Sequence, residues 1–326
     1  MISVVIPAYN SAKTITEAIK GVFTQTITEE MELIIVDDGS TDATAQIIKS
    51  FPKVKYFYQG NAGPAAARNR GARESKGDII FFTDSDCVPH NDWIEGIRRY
   101  FSDPKIAVVS GTYDLVEGSN LLAKCIHQEI IFRHQRRMPE YPKSFGSYNF
   151  CIRKKVFDQV GGFDTRYRTA SGEDNDLSYK ILSAGHRIYF ARDARVKHHH
   201  PSDVKKYLRE QFNHGFWRVK MYRDHPQMMK GDDYTFWKDI AEPPLVLGVI
   251  LSGILAPFFG TANLVFIVLI FMVLIVEIIY GFLYTRSFFS AIFWAAIMLL
   301  RAWARTLGFL FGLPHFFLKK TPKKLK

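Results

Sequence analysis

Cysteine is scarce in this chain of 326 residues, and its three occurrences share no close spacing. The chain has an odd number of cysteines, Cys87, Cys125 and Cys151, and none of them forms a Cys-x-x-Cys pair. This argues against a disulfide framework and against a zinc site with paired thiolates. We therefore expect reduced thiols in a cytoplasmic compartment.

Three other patterns are also missing. Residues 1–6 open directly into a strand, without the charged and apolar regions of a leader, so we expect no cleavable signal peptide. No Gly-x-Gly-x-x-Gly follows this strand, which argues against a dinucleotide site of the Rossmann type. No basic stripe with interleaved aromatic residues is present, so we expect no nucleic-acid partner.

Positive charge and apolar residues are unevenly distributed along the chain. The formal net charge is +11, and apolar residues dominate from about residue 243 onward. A basic balance beside apolar segments points to a membrane surface or to phosphorylated ligands. Five of the positive charges lie in the tail: Lys319, Lys320, Lys323, Lys324 and Lys326.

The first half of the chain alternates short apolar runs with segments of helical periodicity. The runs predict strands at 3–6, 32–36, 54–58 and 79–82, and the intervening segments predict helices at 15–22, 45–49 and 65–74. Such an alternation is typical of an α/β domain with a doubly wound, mostly parallel sheet.

Two carboxylates follow the strand at 79–82. Asp84 and Asp86 come where the strand must end, and ligands of open α/β sheets bind at the carboxyl ends of strands. Holding two acidic groups together is unfavourable unless a cation neutralises them. A divalent metal carrying a diphosphate fits, because Mg²⁺ and Mn²⁺ prefer oxygen ligands. The alternative is a strand-end turn with two solvated aspartates.

Four motifs occur in a fixed order: VVIPAYN at 4–10, IVDDGSTD at 35–42, NAG at 61–63 with ARN at 67–69, and DSD at 84–86. Together they resemble the family 2 inverting glycosyltransferases of GT-A fold. Further along, GGFD at 161–164 and ED at 173–174 resemble the later motifs of that family. The resemblance covers the predicted α/β domain.

The resemblance implies a site for a nucleoside diphosphate sugar. Asp38 would accept hydrogen bonds from the base or ribose, and Arg68 and Arg153 would assist at the diphosphate. The implied donor-binding residues are Pro7, Ala8, Tyr9, Asp38, Gly39, Asn61, Gly63, Arg68, Asp84, Ser85, Asp86 and Arg153.

The resemblance also implies a metal site and a catalytic base. Mn²⁺ or Mg²⁺ would be held by Asp86, Asp84 and a downstream histidine. His198 is preferred by its position, although His199 and His200 remain open, as does a merely solvated loop. Asp174 would be the general base, with Glu173 supporting it. The alternative for both acidic groups is stabilisation of a helix N-terminus.

Three residues are assigned to the acceptor side by the same resemblance. Asn149 precedes the GGFD segment, while Gln211 and Trp217 lie where the cellulose-synthase-like branch carries Gln-x-x-Arg-Trp. The match of this last motif is loose, because its arginine is absent and Trp217 comes two residues late.

The remainder of the chain predicts a membrane region. Residues 203–223 suit an amphipathic helix at a lipid interface, with an ordinary surface helix as the alternative. The apolar segments 243–259, 263–284 and 288–313 predict three membrane spans. Three spans place the Lys-rich tail outside, against the positive-inside tendency, whereas two spans and an interfacial helix avoid this conflict. Glu277 and the pair Arg301/Arg305 would pair with each other or with a lipid phosphate.

These observations predict a glycosyltransferase domain (1–202), an interfacial region (203–240) and an all-α transmembrane domain with a basic tail (241–326).

The predicted function is metal-dependent transfer of a hexose in glycan or protein N-glycosylation biosynthesis. Similarity to dolichyl-phosphate mannose and glucose synthases makes GDP-mannose the first donor and UDP-glucose the second. The acceptor would be a polyprenyl or dolichyl phosphate, or a glycan linked to one. The enzyme would be integral to the cell membrane or an ER-type membrane, with its catalytic domain cytoplasmic. The rival functions are a processive polysaccharide synthase and a non-catalytic membrane scaffold.

Overall fold

The computed structural model describes residues 1–231, 233, 237–285 and 287–317. It divides into two compact units, the first formed by Met1–Ser119 with Ile130–His200 and the second by Asn120–Glu129 with Pro201–Lys326. The five lysines of the expected basic tail lie outside the described residues.

The first unit is built on a sheet of eight strands in the order β3-β2-β1-β4-β7-β6-β8-β5. β3, β2, β1 and β4 are mutually parallel, whereas β7 runs antiparallel to both of its neighbours and β5 runs antiparallel to β8. The strands are β1 Ile2–Ala8, β2 Met31–Asp37, β3 Val54–Tyr58, β4 Ile79–Thr83, β5 Cys87–Pro89, β6 Ile106–Leu115, β7 Asn149–Arg153 and β8 Arg187–His198. The predicted α/β fold is confirmed.

Helices cover both faces of this sheet, because successive strand residues point to opposite sides. Ile6 and Phe81 pack with Ile19 in one apolar cluster, while Phe82 packs with Ala67 in the other. The helices are α1 Ile15–Phe23, α2 Thr44–Lys49, α3 Pro64–Glu74, α4 Trp93–Arg98, α5 Leu121–Arg136, α6 Lys154–Gln159 and α7 Glu173–Ser183, and a 3-10 helix at Arg99–Ser102 follows α4. Two buried layers thus hold the strand ends in fixed positions.

β5 is a strand that the sequence does not predict. Cys87–Pro89 forms a separate edge strand that pairs with β8. In this register Cys87 lies opposite His198. The pairing brings the histidine-rich end of β8 next to the Asp-x-Asp segment.

The second unit is helical. It contains α8 Val204–Asp224, a 3-10 helix at Pro226–Lys230, α9 Trp237–Leu255, α10 Gly260–Thr285 and α11 Phe288–Phe317. Among the described residues, two helices are long and apolar enough to cross a membrane, α10 and α11. α9, which contains most of the first predicted span, carries Lys238, Asp239 and Glu242 in its first turns.

α8 packs tightly against α11. A Cβ atom added to Gly308 would lie 2.0 Å from the carbonyl oxygen of Phe212, and one added to Gly215 would lie 2.0 Å from that of Arg305. Glycine at both positions therefore lets the two backbones touch. The apolar face of α8 that we expected to lie on lipid is covered by α11, because Tyr207, Gly215 and Val219 on this face are buried. The apolar face of α8 therefore packs on another helix, and the interfacial position of α8 stays a prediction.

Candidate active site

The loops after β1, β2 and β4 meet at the carboxyl edge of the sheet. Ser11 and Ser85 share a hydrogen bond of 2.7 Å between their hydroxyls, which joins the first loop to the Asp-x-Asp segment. The side-chain oxygen of Asn10 accepts a hydrogen bond of 2.8 Å from the backbone N–H of Thr41. The three loops therefore form one connected rim, in agreement with the rule for ligand sites of open α/β sheets.

Asp38 organises the next loop of this rim. Its carboxylate is buried and accepts hydrogen bonds from the side chain of Gln59 and from the backbone N–H groups of Ala62 and Gly63, at 2.7 to 2.9 Å. Gly63 has φ +92, and a Cβ atom there would lie 2.8 Å from the carbonyl oxygen of Arg168. The carboxylate expected to bind the base or ribose thus fixes the NAG loop, and a contact with donor stays a prediction.

The other residues expected near the base differ in exposure. Pro7 and Ala8 are buried as the last residues of β1, whereas Tyr9 is half exposed, at 50%. Gly39 has φ +81, and a Cβ atom on it would lie 2.9 Å from the backbone nitrogen of Asn61. The side chains of Tyr9 and Asn61 are exposed, so a ligand can reach both.

Arg68 joins the Asp-x-Asp segment to the ED motif. It lies on α3, is 1% exposed, and donates to Asp84 Oδ1 at 2.7 Å and to Glu173 Oε1 at 3.0 Å. Although burial lowers the pKa of the guanidinium, the carboxylates of Asp84 and Glu173 raise it above its usual value. Arg68 therefore stays charged, and its two charge-assisted bonds are made to protein carboxylates.

The ED motif begins α7, at the position of a helix N-terminus. Glu173 is buried, and it accepts a hydrogen bond of 2.7 Å from the backbone N–H of Ser171 as well as that of Arg68. Asp174 is partly buried and accepts hydrogen bonds from the backbone N–H groups of Asn175, at 2.9 Å, and of Ser147.

The pKa of Asp174 is raised to about 7. Desolvation by burial is the largest cause, and the negative charge of Glu173 adds to it. A carboxyl group with a pKa near neutrality exchanges protons readily at physiological pH, which is the property required of a general base. Burial raises the pKa of Glu173 as well, although the charge of Arg68 opposes this effect. The two neighbours differ in their contacts, because Glu173 is bound by Arg68 whereas, among the described hydrogen bonds, the carboxylate of Asp174 accepts only from backbone N–H groups.

Asp86, Cys87 and His198 form a group that could hold a metal ion. One donor atom from each lies within 4.8 Å of the others, and Asp86 Oδ1 is 3.5 Å from His198 Nε2. Burial, with the charges of Asp86 and Asp84, raises the pKa of the Cys87 thiol well above its usual value. Mn²⁺ and Mg²⁺ prefer oxygen ligands to sulfur, so the carboxylate of Asp86 is the donor that suits them, with the imidazole of His198 beside it.

The three histidines at the end of β8 point to different partners. His198 shares a hydrogen bond of 2.8 Å with His200 between their Nδ1 atoms, which leaves its Nε2 directed at Asp86. His199 lies 3.1 Å from Glu17 on α1. Among the three, the geometry thus places His198 at the candidate metal group, with Tyr113 stacked on its ring at 4.8 Å.

Two expected site residues lie elsewhere in the first unit. Arg153 pairs with Ile79, the first residue of β4, and its side chain donates to the carbonyl groups of Phe101 and Ile106. It is therefore at the opposite end of β4 from Asp84, and its assignment to the diphosphate is wrong.

Asn149 is fully buried. Its side-chain amide donates hydrogen bonds to the carbonyl groups of Thr112 and Ala194 and accepts one from Trp93. Its assignment to the acceptor is likewise wrong, because no acceptor can reach it.

The two remaining acceptor candidates belong to the second unit. The side-chain oxygen of Gln211 accepts a hydrogen bond of 2.8 Å from Arg305, and the residue is buried. The ring of Trp217 packs against Phe216 and Phe316, with centroids 5.4 Å apart in both pairs. Both contacts stabilise the packing of α8 on α11, and a role at the acceptor stays a prediction.

Sequence reasoning missed Ser147 and Tyr113. Ser147 donates a hydrogen bond from its backbone N–H to Asp174. Any residue type except proline can make such a contact, so the sequence does not predict it. Tyr113 lies near the end of β6 and stacks on both Tyr148 and His198, at 3.6 and 4.8 Å between centroids. The only available signal for Tyr113 was an aromatic residue near the end of a strand.

Comparison with known proteins agrees with this geometry. Residues 3–161 match the family described as glycosyl transferase family 2, and residues 127–202 match one described as the N-terminal domain of galactosyltransferase. The chain is 30% identical over 235 residues to the pre-mycofactocin glycosyltransferase of Mycobacterium tuberculosis, covering 69% of this chain and 48% of that protein. It is 26% identical over 227 residues to glycosyltransferase AglE of Haloferax volcanii, covering 68% and 74%.

The chain thus spans about half the length of the mycobacterial relative. Among solved structures, a mannosyltransferase from Pyrobaculum calidifontis in complex with GDP-Man and Mn²⁺ superposes with a TM-score of 0.58 at 18% identity, covering 98% of this chain and 88% of that one. This likeness shows a shared fold. Residues 3–161 thus resemble glycosyl transferase family 2, and the sheet together with this superposition shows a GT-A-like fold.

Proposed function

We propose that this protein is a membrane-bound inverting glycosyltransferase that moves a hexose from a nucleoside diphosphate sugar to a lipid-linked acceptor. One observation carries the proposal. Asp174 has a pKa of about 7 and is the neighbour of Glu173 in the chain. Arg68 binds both Glu173 and Asp84. Asp84 in turn lies two residues from the candidate metal ligand Asp86. A proton acceptor and a cation site are thereby held in one hydrogen-bonded frame.

Asp174 is the proposed general base. It takes the proton of an acceptor hydroxyl while the acceptor oxygen bonds to the anomeric carbon of the sugar. The bond from that carbon to the diphosphate breaks on the opposite face, and the nucleoside diphosphate leaves. Asp174 ends the step protonated and releases its proton to solvent. This direction of attack inverts the configuration at the anomeric carbon.

Asp86 and His198, with Asp84, are the proposed ligands of Mn²⁺ or Mg²⁺. When bound, the metal would act as a Lewis acid that offsets the charge of the departing diphosphate. The hydrogen bond between His198 and His200 would fix the ring so that Nε2 faces the metal, as second-shell contacts do in other sites. Arg68 holds Asp84 and Glu173 in place and is a positioning residue.

The donor and acceptor are inferred from resemblance and from chemistry. GDP-mannose is the first donor to test, with UDP-glucose the second, since the Pyrobaculum mannosyltransferase of the same fold was solved with GDP-Man. The apolar helices favour an acceptor carried on a polyprenyl or dolichyl phosphate in a membrane. A base with a pKa near 7 favours a sugar hydroxyl on that lipid, because a phosphate acceptor is already ionised at neutral pH. The catalytic domain would be cytoplasmic.

Transfer of labelled sugar into lipid extracts tests the proposal. Membranes containing the protein are incubated with GDP-[¹⁴C]mannose or UDP-[¹⁴C]glucose, with and without EDTA. A short labelled glycolipid that EDTA abolishes supports the proposal. A polymer of high mass would indicate a processive synthase, and no incorporation from either donor would favour a non-catalytic scaffold.

A matched pair of variants distinguishes transfer by this protein from background transfer in the membranes. Asp174→Asn removes the proposed base, whereas Asp158→Asn changes an exposed carboxylate on α6 that lies 3.7 Å from Lys154. Incorporation should disappear in the first variant and persist in the second.

A further inference from the structure

α9 and α10 form a hairpin without any charged residue along most of its length. Residues 243–276 contain no Asp, Glu, Lys or Arg. The two helices touch closely, because a Cβ atom on Gly248 would lie 3.2 Å from Leu269 and one on Gly253 would lie 3.1 Å from Phe266. The two helices therefore pack closely around Gly248 and Gly253.

The outer surface of this hairpin is apolar and uncovered within the described residues. Phe258, between the two helices, is 76% exposed, and Leu264 and Phe271 on α10 are 65% and 59% exposed. Leu251 and Ile254 on α9 are exposed as well. A continuous apolar surface of this size on paired helices fits contact with lipid chains better than contact with water.

Charged residues begin together at the base of the hairpin, where they neutralise one another inside the helix bundle. Lys238 pairs with Glu242 and lies 2.9 Å from Glu277 on α10. On α11, Arg301 donates two bonds of 2.8 Å to Glu129 and one of 3.3 Å to Glu242. Two partners were expected for Arg301 and Arg305, Glu277 or a lipid phosphate. Glu277 pairs with Lys238 instead, and a lipid phosphate is not required, because other carboxylates of the same unit pair with the arginines.

Arg305 joins the same network. It lies 2.9 Å from Asp239, at the start of α9. Charges paired in this way mark a polar level across α9, α10 and α11. Beyond that level, toward the hairpin tip, the described side chains are apolar or uncharged.

The distance from this level to the tip matches a bilayer. Gly260 and Glu277 are seventeen residues apart on α10, which at the rise of an α-helix is about 26 Å. The hydrocarbon core of a membrane is roughly 30 Å thick. This stretch of α10 is therefore close to the thickness of the core, with Thr261 and Asn263 near the far headgroups.

α11 differs from α10, although its length and composition would also allow a crossing. α8 runs parallel to α11 along most of its length, since Tyr207 contacts Trp294 at one end and Arg223 donates to the carbonyl of Phe316 at the other. α8 carries exposed charges, including Lys205, Lys206 and Arg209. If α11 crossed the membrane, these charges would enter the hydrocarbon, where each costs about 3 kcal/mol or more.

We propose that α9 and α10 are the two membrane-crossing helices, and that α8 and α11 lie together in the membrane surface. Leu300, Leu307 and Phe311 on α11 are exposed and would face lipid chains, while the charged side of α8 would face headgroups. The chain then enters and leaves the membrane on the cytoplasmic side, so the Lys-rich tail obeys the positive-inside tendency. This inference rests on the membrane attachment in the proposed function.

Labelling of single cysteines from either side of the membrane tests this topology. Lys53→Cys marks the glycosyltransferase domain, Thr261→Cys the hairpin tip and Lys323→Cys the tail; Lys53 and Thr261 are exposed. An impermeant maleimide is applied to right-side-out and to inverted vesicles containing the full chain. The wild-type protein is the control for background, because Cys87, Cys125 and Cys151 are all buried.

The proposal predicts that Lys53→Cys and Lys323→Cys are labelled from the same side and Thr261→Cys only from the other. Three spans would place Lys53→Cys and Lys323→Cys on opposite sides. A hairpin of α10 and α11 would place all three on one side and Ser287→Cys alone on the other. Protection of Thr261→Cys from both sides would mean a re-entrant loop. Each of these three results overturns the proposal, and none depends on transfer activity.

Membrane attachment itself is tested separately. The protein should remain in the membrane fraction after an alkaline carbonate wash, which removes peripheral proteins. Release by the wash would refute the membrane attachment, whereas retention with an unexpected labelling pattern would refute only the topology.

Discussion

The guanidinium of Arg68 donates a hydrogen bond of 2.7 Å to the Oδ1 atom of Asp84. Its other arm reaches Glu173, so one buried cation joins the Asp-x-Asp segment after β4 to the start of α7. These segments are distant in sequence, and Arg68 couples their positions.

Removal of Arg68 should destabilise the domain. Arg68→Met leaves two carboxylates without their shared cation, and breaking a buried ion pair in this way costs about 3 kcal/mol or more. The free energy of unfolding by urea should fall by that amount. Arg73→Met, on the exposed side of the same helix, should change it little. Equal effects of the two substitutions would contradict the coupling by Arg68.

Transfer activity should depend on the protonation of Asp174. Because the pKa of this carboxyl is raised to about 7 and only the ionised form accepts a proton, activity should be full above pH 8. Below pH 7, kcat/KM should fall about tenfold for each unit of pH. Initial rates between pH 5.5 and 9, at saturating metal, measure this profile. A profile that stays flat down to pH 5.5 would exclude Asp174 as the base.

Metal dependence should distinguish two adjacent histidines. His198→Ala removes the ring that lies 3.5 Å from Asp86, whereas His199→Ala removes one that lies against Glu17. We expect the first to raise the Mn²⁺ concentration for half-maximal activity by about tenfold or more and the second to leave it nearly unchanged. Titration of Mn²⁺ in the labelled-sugar assay measures both, and a larger effect in His199→Ala would refute the assignment.

The contact of α8 with α11 should depend on its glycines. A side chain on Gly308 would collide with the carbonyl of Phe212, so Gly308→Val should destabilise the helical unit by about 1–3 kcal/mol. Gly260→Ala is the control, since a Cβ atom there meets nothing within 4 Å. Thermal unfolding in detergent compares the two, and equal melting temperatures would argue against backbone contact at Gly308.

Local pattern predicts the first four strands because each is a short apolar run between turn residues. The predicted strand at 54–58 coincides with β3, and that at 79–82 is one residue shorter than β4. The carboxyl ends of these parallel strands lie at one edge by rule, so the gathering of Asp38 and Asp84 there is predictable as well.

The positions of Asn149 and Arg153 could not be predicted, because they depend on the direction in which β7 runs. β7 runs antiparallel to β4, so Asn149 pairs with Thr83 while Arg153 pairs with Ile79 at the far edge. A motif read along the sequence carries no information about this direction. The approach of His198 to Asp86 likewise depends on the register of β5 with β8, which is set by tertiary packing.

The packing partner of α8 could not be predicted from the sequence either. Its alternation of apolar and charged residues is equally compatible with lipid or with another helix as partner. Contact with α11 is decided by glycines on both helices, and Gly215 and Gly308 are far apart in the chain.

The proposed base is best tested in Asp174→Asn, by measuring transfer of [¹⁴C]mannose or [¹⁴C]glucose to lipid beside binding of the same nucleotide sugar. Asparagine preserves the size of the side chain but cannot accept the proton of the acceptor. We predict loss of transfer by at least a hundredfold, with donor affinity nearly unchanged. Turnover equal to that of the wild-type protein, in a variant that still binds donor, would contradict the account.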